Sequence, residues 1–322
     1  MDAGKNTGLP VEFNDIVDEI VEFTGDAKSQ VQHRLWMEAI QPSWNVWLDV
    51  ERLGVEPHVF NEAMARLYTD SDGFIYETLA FWAVPARQRW IEQALTRIRL
   101  HLHSRGIGAE SARVLVLGDG SGNDSIYLSN DGLLVDYFDV PGSRTFAFAT
   151  RRFERYAKHN APVQVIEEYE HIIGRHYELV LSFEVLEHLP DPIGSIRDMA
   201  HVLNRGGIAL VTESFKEVGQ RHPTHLYANV QFTSWTPLLF HLNNMPMTWH
   251  STVDRFKPME FTKMGGVSWR QATALLKDRD LAAEFGWARA RDVVRLVRGA
   301  FLSPRGFSSV RPPERRRPRP SR

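Results

Sequence analysis

The sequence predicts an α/β protein, a mostly parallel sheet with helices on both faces, preceded by an all-helical N-terminal block. Three observations predict it. Residues from about 11 to 104 carry apolar side chains at helical spacing. From Arg113 onward, short apolar runs alternate with helix-like stretches, the pattern of strands joined by crossover helices. The first of those runs, in "VLVLGDGSGNDS" (Val114–Ser125), stops on three closely spaced glycines. In an open parallel sheet that is where ligands bind, beyond the carboxyl ends of the strands.

Taken in order, Ile16, Ile20 and Phe23 share one helical face, and Trp90, Ile91, Leu95, Ile98 and Leu102 form a second stripe. Gly54, the "YTDSDG" turn (Tyr68–Gly73) and Pro85 punctuate this block. Its tryptophans (Trp36, Trp44, Trp47, Trp82, Trp90) read as core, because large aromatics dominate burial energetics. Strands follow at Arg113–Leu117, Leu133–Asp139, Val163–Glu167, Glu178–Phe183 and Gly207–Glu213. Beyond Thr236, "FTSWTPLLFHL" and the stretch 268–302 read as helical. The expected domains are a helical region 1–104 that caps a substrate or builds a homodimer, a sheet domain with helical extension 105–302, and an Arg/Pro-rich tail 303–322.

Composition narrows the classes. No apolar run approaches the length of a membrane span, and the first residues lack the basic-then-apolar pattern of a secretion signal. With no cysteine there is no disulfide, thiolate metal site or cysteine nucleophile, and a cytoplasmic location is expected. Residues 286–322 hold eleven arginines against Asp292 and Glu314, a local charge of +9 in a chain whose net charge is −2. That segment reads as a solubilising tail or a contact for an acidic partner. Its last dozen residues carry no aromatics on which bases could stack.

Within the glycine loop, Gly118, Gly120 and Gly122 permit close approach of a ligand to the backbone. Asp139 ends the next strand, where a carboxylate accepts hydrogen bonds from ribose hydroxyls; Asp136 lies inside the strand. These pieces, with "VDYFDVPGS", "YELVLSFEVLEHLPDP" and "LNRGGIALVTES", resemble the class I S-adenosylmethionine-dependent methyltransferases. The resemblance is to the small-molecule branch that includes ubiquinone-biosynthesis O-methyltransferases, and it spans about Arg113 to Phe232. It implies a seven-stranded Rossmann-like sheet with the methyl donor across the tips of the first, second and fourth strands. Carried over, Gly118, Gly120 and Gly122 line the methionine part of the donor, Asp139 and the adjoining Val140 the ribose, and Phe183 the adenine side, with Glu167 or Glu168 near the adenine amino group. The family's usual acid for the donor ammonium falls at Val116, and Asp119 offers a carboxylate three residues on.

Methyl transfer needs a positioned acceptor and, where required, a proton acceptor. In "EVLEH", Glu184, Glu187 and His188 fall at i, i+3 and i+4 and share a face if helical. The resemblance implies that this trio holds a divalent metal; alternatively His188 is a general base or simply shapes the pocket. His222 and His225 follow the fifth strand, where they complete a metal site with that face, or His225 serves as base. The leading expectation is a methyltransferase for a small-molecule acceptor, with O-, N- and C-methylation open. Arginine outnumbers lysine 31 to 7, which suggests bacterial specialised metabolism. A metal-dependent variant would act on a catechol or a 2-oxo acid. A nucleic-acid or protein methyltransferase guided by the basic C-terminus is the alternative, but "SFEV" stands where an "NPPY"-type motif is expected. A donor-binding domain without catalysis rests on Val116 alone.

Overall fold

The structure, a computed structural model, describes residue 9 and residues 12–157 and 162–265. The helical stretch expected at 268–302 and the Arg-rich tail lie outside the described residues. A seven-stranded sheet runs in the order β3-β2-β1-β4-β5-β7-β6, with β1 Arg113–Leu117, β2 Leu134–Phe138, β3 Gln164–Val165, β4 Tyr177–Phe183, β5 Leu203–Thr212, β6 Met247–His250 and β7 Met259–Thr262. The first five strands pair in parallel; β7 is antiparallel to both β5 and β6. All five strands expected from the sequence are present, with β3 reduced to two residues. Chain order reverses between β1 and β4, so a crevice opens beyond their carboxyl ends.

Alternation along β1 sends Val114 and Val116 to one face and Leu115 and Leu117 to the other. The first face is covered by α6 (Pro85–Arg105), α7 (Asn123–Asn130) and α8 (Arg144–Tyr156). The second is covered by α9 (Tyr169–Ile173), α10 (Pro192–Val202) and α11 (Thr236–Leu242). The Trp90–Leu102 stripe therefore packs on the sheet itself, and α6 is a layer of the sheet domain although it precedes residue 105.

The remaining helices form an added layer: α1 (Phe13–Thr24), α2 (Lys28–Ile40), α3 (Trp44–Leu53), α4 (Glu62–Asp70) and α5 (Gly73–Trp82). One small core joins α1, α2 and α5 to Phe148 of α8, and a second joins α3 and α4 to Phe74. Of the five tryptophans read as core, Trp82 and Trp90 are buried, whereas Trp36 is 59% exposed. Its position on α2 faces away from the stripe of Val31 and Leu35 that packs inward. No helix among the described residues is long and apolar enough to cross a membrane.

Candidate active site

The crevice beyond β1 and β4 is a cavity of about 1270 Å³. Ordinary small-molecule pockets measure about 300–1,000 Å³, so this one has room for two ligands side by side. Its floor is the strand tips, and α4 and α5 supply wall residues that include Tyr68, Phe74, Glu77 and Thr78.

The glycine loop is pinned to the tip of β2. Gly118 N–H donates to the Phe138 carbonyl (2.9 Å), the Tyr137 hydroxyl to the Gly120 carbonyl (2.8 Å), and Gly120 N–H to Asp139 Oδ2 (2.7 Å). Gly118 and Gly120 have φ of +66° and +56°, and a Cβ on them would meet Val185 and Thr78, both at 2.6 Å. Only glycine fits there, because the fourth-strand tip and α5 close directly onto the loop. Both residues line the cavity, with Asp119, Asp139 and Val140. Gly122 departs from expectation. It precedes α7 outside the cavity wall, and a Cβ there would run into the Phe153 ring, so it serves helix packing.

Asp119 is also committed to that helix. Its two oxygens accept from the N–H groups of Asp124 (3.0 Å) and Ser125 (2.7 Å), while burial, with the charge of Asp124, pushes its pKa up to about 8. Asp139 keeps its carboxylate at the cavity, held by Gly120 N–H and by Val140 N–H (2.7 Å); burial raises its pKa. Glu167 and Glu168 are exposed on the cavity rim. Phe183 lines the cavity too, but on the α6 side, with the Arg87 guanidinium 5.1 Å from its ring. The strand order sets β4 about 14 Å from β3, three spacings of about 4.8 Å. Phe183 therefore stands on the glycine-loop side of the cavity, three strands away from Glu167.

Arg87, at the start of α6, was not singled out in the sequence. It pairs with Asp124 at 2.5 Å. Its Nη1 is buried without a hydrogen-bond partner, as are Trp82 Nε1 and Trp90 Nε1, and all three residues line the cavity. The tryptophans read as core thus carry unsatisfied donors in the cavity wall. A Pro at the first turn of a helix after two bulky aromatics was the available signal.

Just past the tip of β4, the "EVLEH" segment is not a helix. Glu184 has a left-handed φ of +55° and only Leu186–His188 form a short 3-10 turn, so Glu184, Glu187 and His188 do not share a face. Glu184 turns to Lys257 and Ser214. The residues that do converge are Glu187, His188 and His225, whose ligand atoms lie within 4.8 Å of one another. His222 stacks on His225 with ring centroids 4.4 Å apart and stands outside this group. Both Glu187 oxygens and His225 Nδ1 are buried without partners. Burial drives the Glu187 pKa well above the carboxylate range, holds His188 at about 4 and drives His225 lower still.

The helical layer fixes this histidine loop. His58 Nδ1 lies 2.9 Å from the His225 carbonyl, the Tyr68 hydroxyl lies 3.1 Å from His188 Nδ1, and Trp47 Nε1 donates to the Gln220 carbonyl. Glu77 of α5 faces the cavity, accepts from Ser43 Oγ, and has its pKa pushed up to about 8 by burial and by Glu38. An acid whose folded pKa is raised binds its proton more tightly when folded, so its contribution is full below about 4.5 and is lost as pH rises toward 8. Urea melts between about pH 5 and pH 8 should therefore show the stability of the wild type falling relative to that of Glu77→Gln as pH rises. An equal slope in the variant would mean that Glu77 is ionised throughout.

The sequence profile of the family described as "methyltransferase domain" matches residues 87–276, more than half of the chain. The chain belongs to the methyltransferase domain family. The match begins at Arg87, which agrees with α6 packing as part of the sheet domain. Among curated relatives, this methyltransferase is 27% identical over 144 residues to the ubiquinone biosynthesis O-methyltransferase of Xylella fastidiosa (strain M23), covering 45% of this chain and 58% of that one. It is 25% identical over 162 residues to the enzyme of the same name from Nitrosospira multiformis, covering 50% and 62%. The chain thus spans less than two thirds of the length of these relatives. Among solved structures, magnesium protoporphyrin IX methyltransferase from Synechocystis PCC 6803 with bound SAH aligns at 18% identity and TM-score 0.40, covering 56% of this chain and 88% of that one. That likeness is too distant to bear on chemistry.

Proposed function

We propose that the protein transfers a methyl group from S-adenosylmethionine to a small-molecule acceptor. The observation that carries this reading is the Asp139 carboxylate, held at the cavity by Gly120 and Val140 where the glycine loop meets the tip of β2. Each carboxylate oxygen has a second lone pair, so Asp139 accepts from a ribose diol without releasing the loop. At the α6 end, Arg87 Nη1 and the two tryptophan N–H groups supply unsatisfied donors for the carboxylate of the donor's amino-acid end. The volume left over, walled by α4, α5 and the histidine loop, suits an acceptor beside the sulfonium. Calorimetric titration with S-adenosylmethionine and S-adenosylhomocysteine tests this: binding of both, in competition, is expected. No binding of either would sink the reading. Action in bacterial specialised metabolism is part of the same proposal and rests on the arginine-rich composition.

A second reading adds a divalent metal at Glu187, His188 and His225. The residues fit: two neutral imidazoles and a buried carboxylate with orphaned oxygens form a donor set for a borderline cation. Bound there, a metal would act as a Lewis acid toward an acceptor oxygen. His188 and His225 would hold it through ring nitrogens that burial already keeps free of protons. Glu187 would have to give up its proton on binding. Adding Mn²⁺ or Zn²⁺ to chelator-stripped protein is therefore expected to raise the melting temperature and release protons, and Glu187→Gln to abolish both effects. An unchanged melt at millimolar metal would remove this reading.

A further inference from the structure

Lys257 lines the cavity beside the tip of β4. It follows Phe256 in the segment between β6 and β7, and its ammonium donates to Glu184 Oε1 (2.8 Å), Glu184 Oε2 (3.0 Å) and Ser214 Oγ (2.6 Å). Ser214 in turn donates to Glu184 Oε2 at 2.5 Å. Three separate segments are thus tied at one point: the tip of β4, the loop after β5 and the approach to β7. Glu184 adopts its left-handed backbone while its N–H is held by the Thr212 carbonyl (3.1 Å) and Thr212 Oγ1 (3.0 Å). Such strain costs about 1–3 kcal/mol and persists where the surroundings enforce it, commonly at functional sites.

A pair kept only for the fold would be better replaced by apolar groups, since desolvating two ions offsets much of their attraction. This pair is also not sealed. Lys257 and Glu184 keep 22% and 19% of their side-chain surface exposed, and both line the cavity. The wall beside the ammonium is aromatic, with the Trp90 ring 5.1 Å from Nζ. Burial pulls the Lys257 pKa down, but the charge and hydrogen bonds of Glu184 more than offset this and keep it charged. Glu213, His222 and His225 also lie within its electrostatic reach. The neighbouring histidines are neutral, and Arg87, one helical turn from Trp90, is engaged with Asp124.

The geometry points to Lys257, positioned by Glu184 and Ser214, as the group that binds the reacting oxygen of the acceptor, and to an acceptor of the phenol or enol class. An acceptor oxygen takes the place of one of the three present contacts of the ammonium, and a cation beside an aromatic wall then favours the ionised hydroxyl. This rests on the sulfonium-donor reading above. The acceptor hydroxyl loses its proton to solvent as the oxyanion pairs with Lys257. An oxygen lone pair then forms the O–CH₃ bond while the C–S bond breaks, its electron pair passing to sulfur to leave a neutral thioether. Lys257 stays protonated throughout, and Glu184 keeps its ammonium in place.

The test is a pH titration of 4-nitrophenol bound to the full-length, EDTA-treated protein, with and without S-adenosylhomocysteine, read by the visible nitrophenolate band. The bound probe is expected to ionise about one pH unit or more below its value in water, a tenfold change in its acid dissociation constant. Lys257→Met should abolish that shift, and Lys257→Arg should retain part of it. Because Lys257→Met leaves Glu184 without its partner, the double variant Glu184→Gln/Lys257→Met is titrated as well, and it should also lack the shift. A shift that survives in either, or a probe that does not bind the wild-type protein, overturns the assignment. Calorimetry with S-adenosylhomocysteine on the same preparations separates this from failure of the donor reading, because the probe titration without that ligand reports on Lys257 alone.

Discussion

Replacing Asp139 by alanine is expected to lower affinity for S-adenosylhomocysteine by at least about a hundredfold. Two effects add. The variant loses the charged acceptor for a ribose diol, where hydrogen bonds to a charged group contribute about 1.5–3 kcal/mol each. It also releases Gly120 N–H, one of three bonds that tie the glycine loop to β2, so the loop loses part of its preorganisation. Asp139→Asn separates the two: its amide oxygen still accepts one bond without the charge, and it should fall between wild type and alanine. Isothermal titration calorimetry reads both. Wild-type affinity in Asp139→Ala would mean that the carboxylate holds the loop and nothing else.

The largest stability effect is expected at Arg152, on α8. This guanidinium is 1% exposed and links the helical layer to the ligand loop: Nε donates to Glu19 Oε1 of α1 (2.9 Å), and Nη1 to the Ser121 carbonyl and Asn123 Oδ1 (both 2.7 Å). Arg152→Met leaves the Glu19 carboxylate, 6% exposed, with no counter-charge. Breaking one half of a buried pair costs about 3–5 kcal/mol, and that loss should appear in the urea midpoint. The double variant Glu19→Gln/Arg152→Met should recover much of it, since no buried charge then remains. Arg155→Met is the control: its pair with Glu22 is half exposed on both sides, and such pairs contribute about 0–1 kcal/mol. Equal losses in the two arginine variants would show that burial does not set the difference.

The positions of the strands were legible because a parallel sheet buried on both faces writes near-continuous apolar runs, as in Val114–Leu117 and Tyr177–Phe183. Asp139 was legible for a related reason, since a carboxylate that ends such a run must stand at a strand tip. The "EVLEH" spacing misled. Spacing at i, i+3 and i+4 carries information only within a helix, and here the chain turns through a left-handed residue at Glu184. Gly122 misled in another way, because a glycine needed for packing against Phe153 and one needed for ligand approach look the same in sequence. Lys257 and Arg87 were silent. Each is one basic residue among many, distinguished only by burial beside a partner from a distant segment.

By itself, then, the sequence determined the order of strands and helices, the glycine loop and the acidic tip of β2, because hydrophobic period and turn chemistry are local properties. Tertiary structure alone decided which charged groups share the cavity. Glu184 meets Lys257, and Glu187 meets His188 and His225, across gaps in the chain that no local pattern spans. Those meetings depend on how strand tips and loops converge at the point where the sheet reverses its order, and there the buried partners set each other's charge.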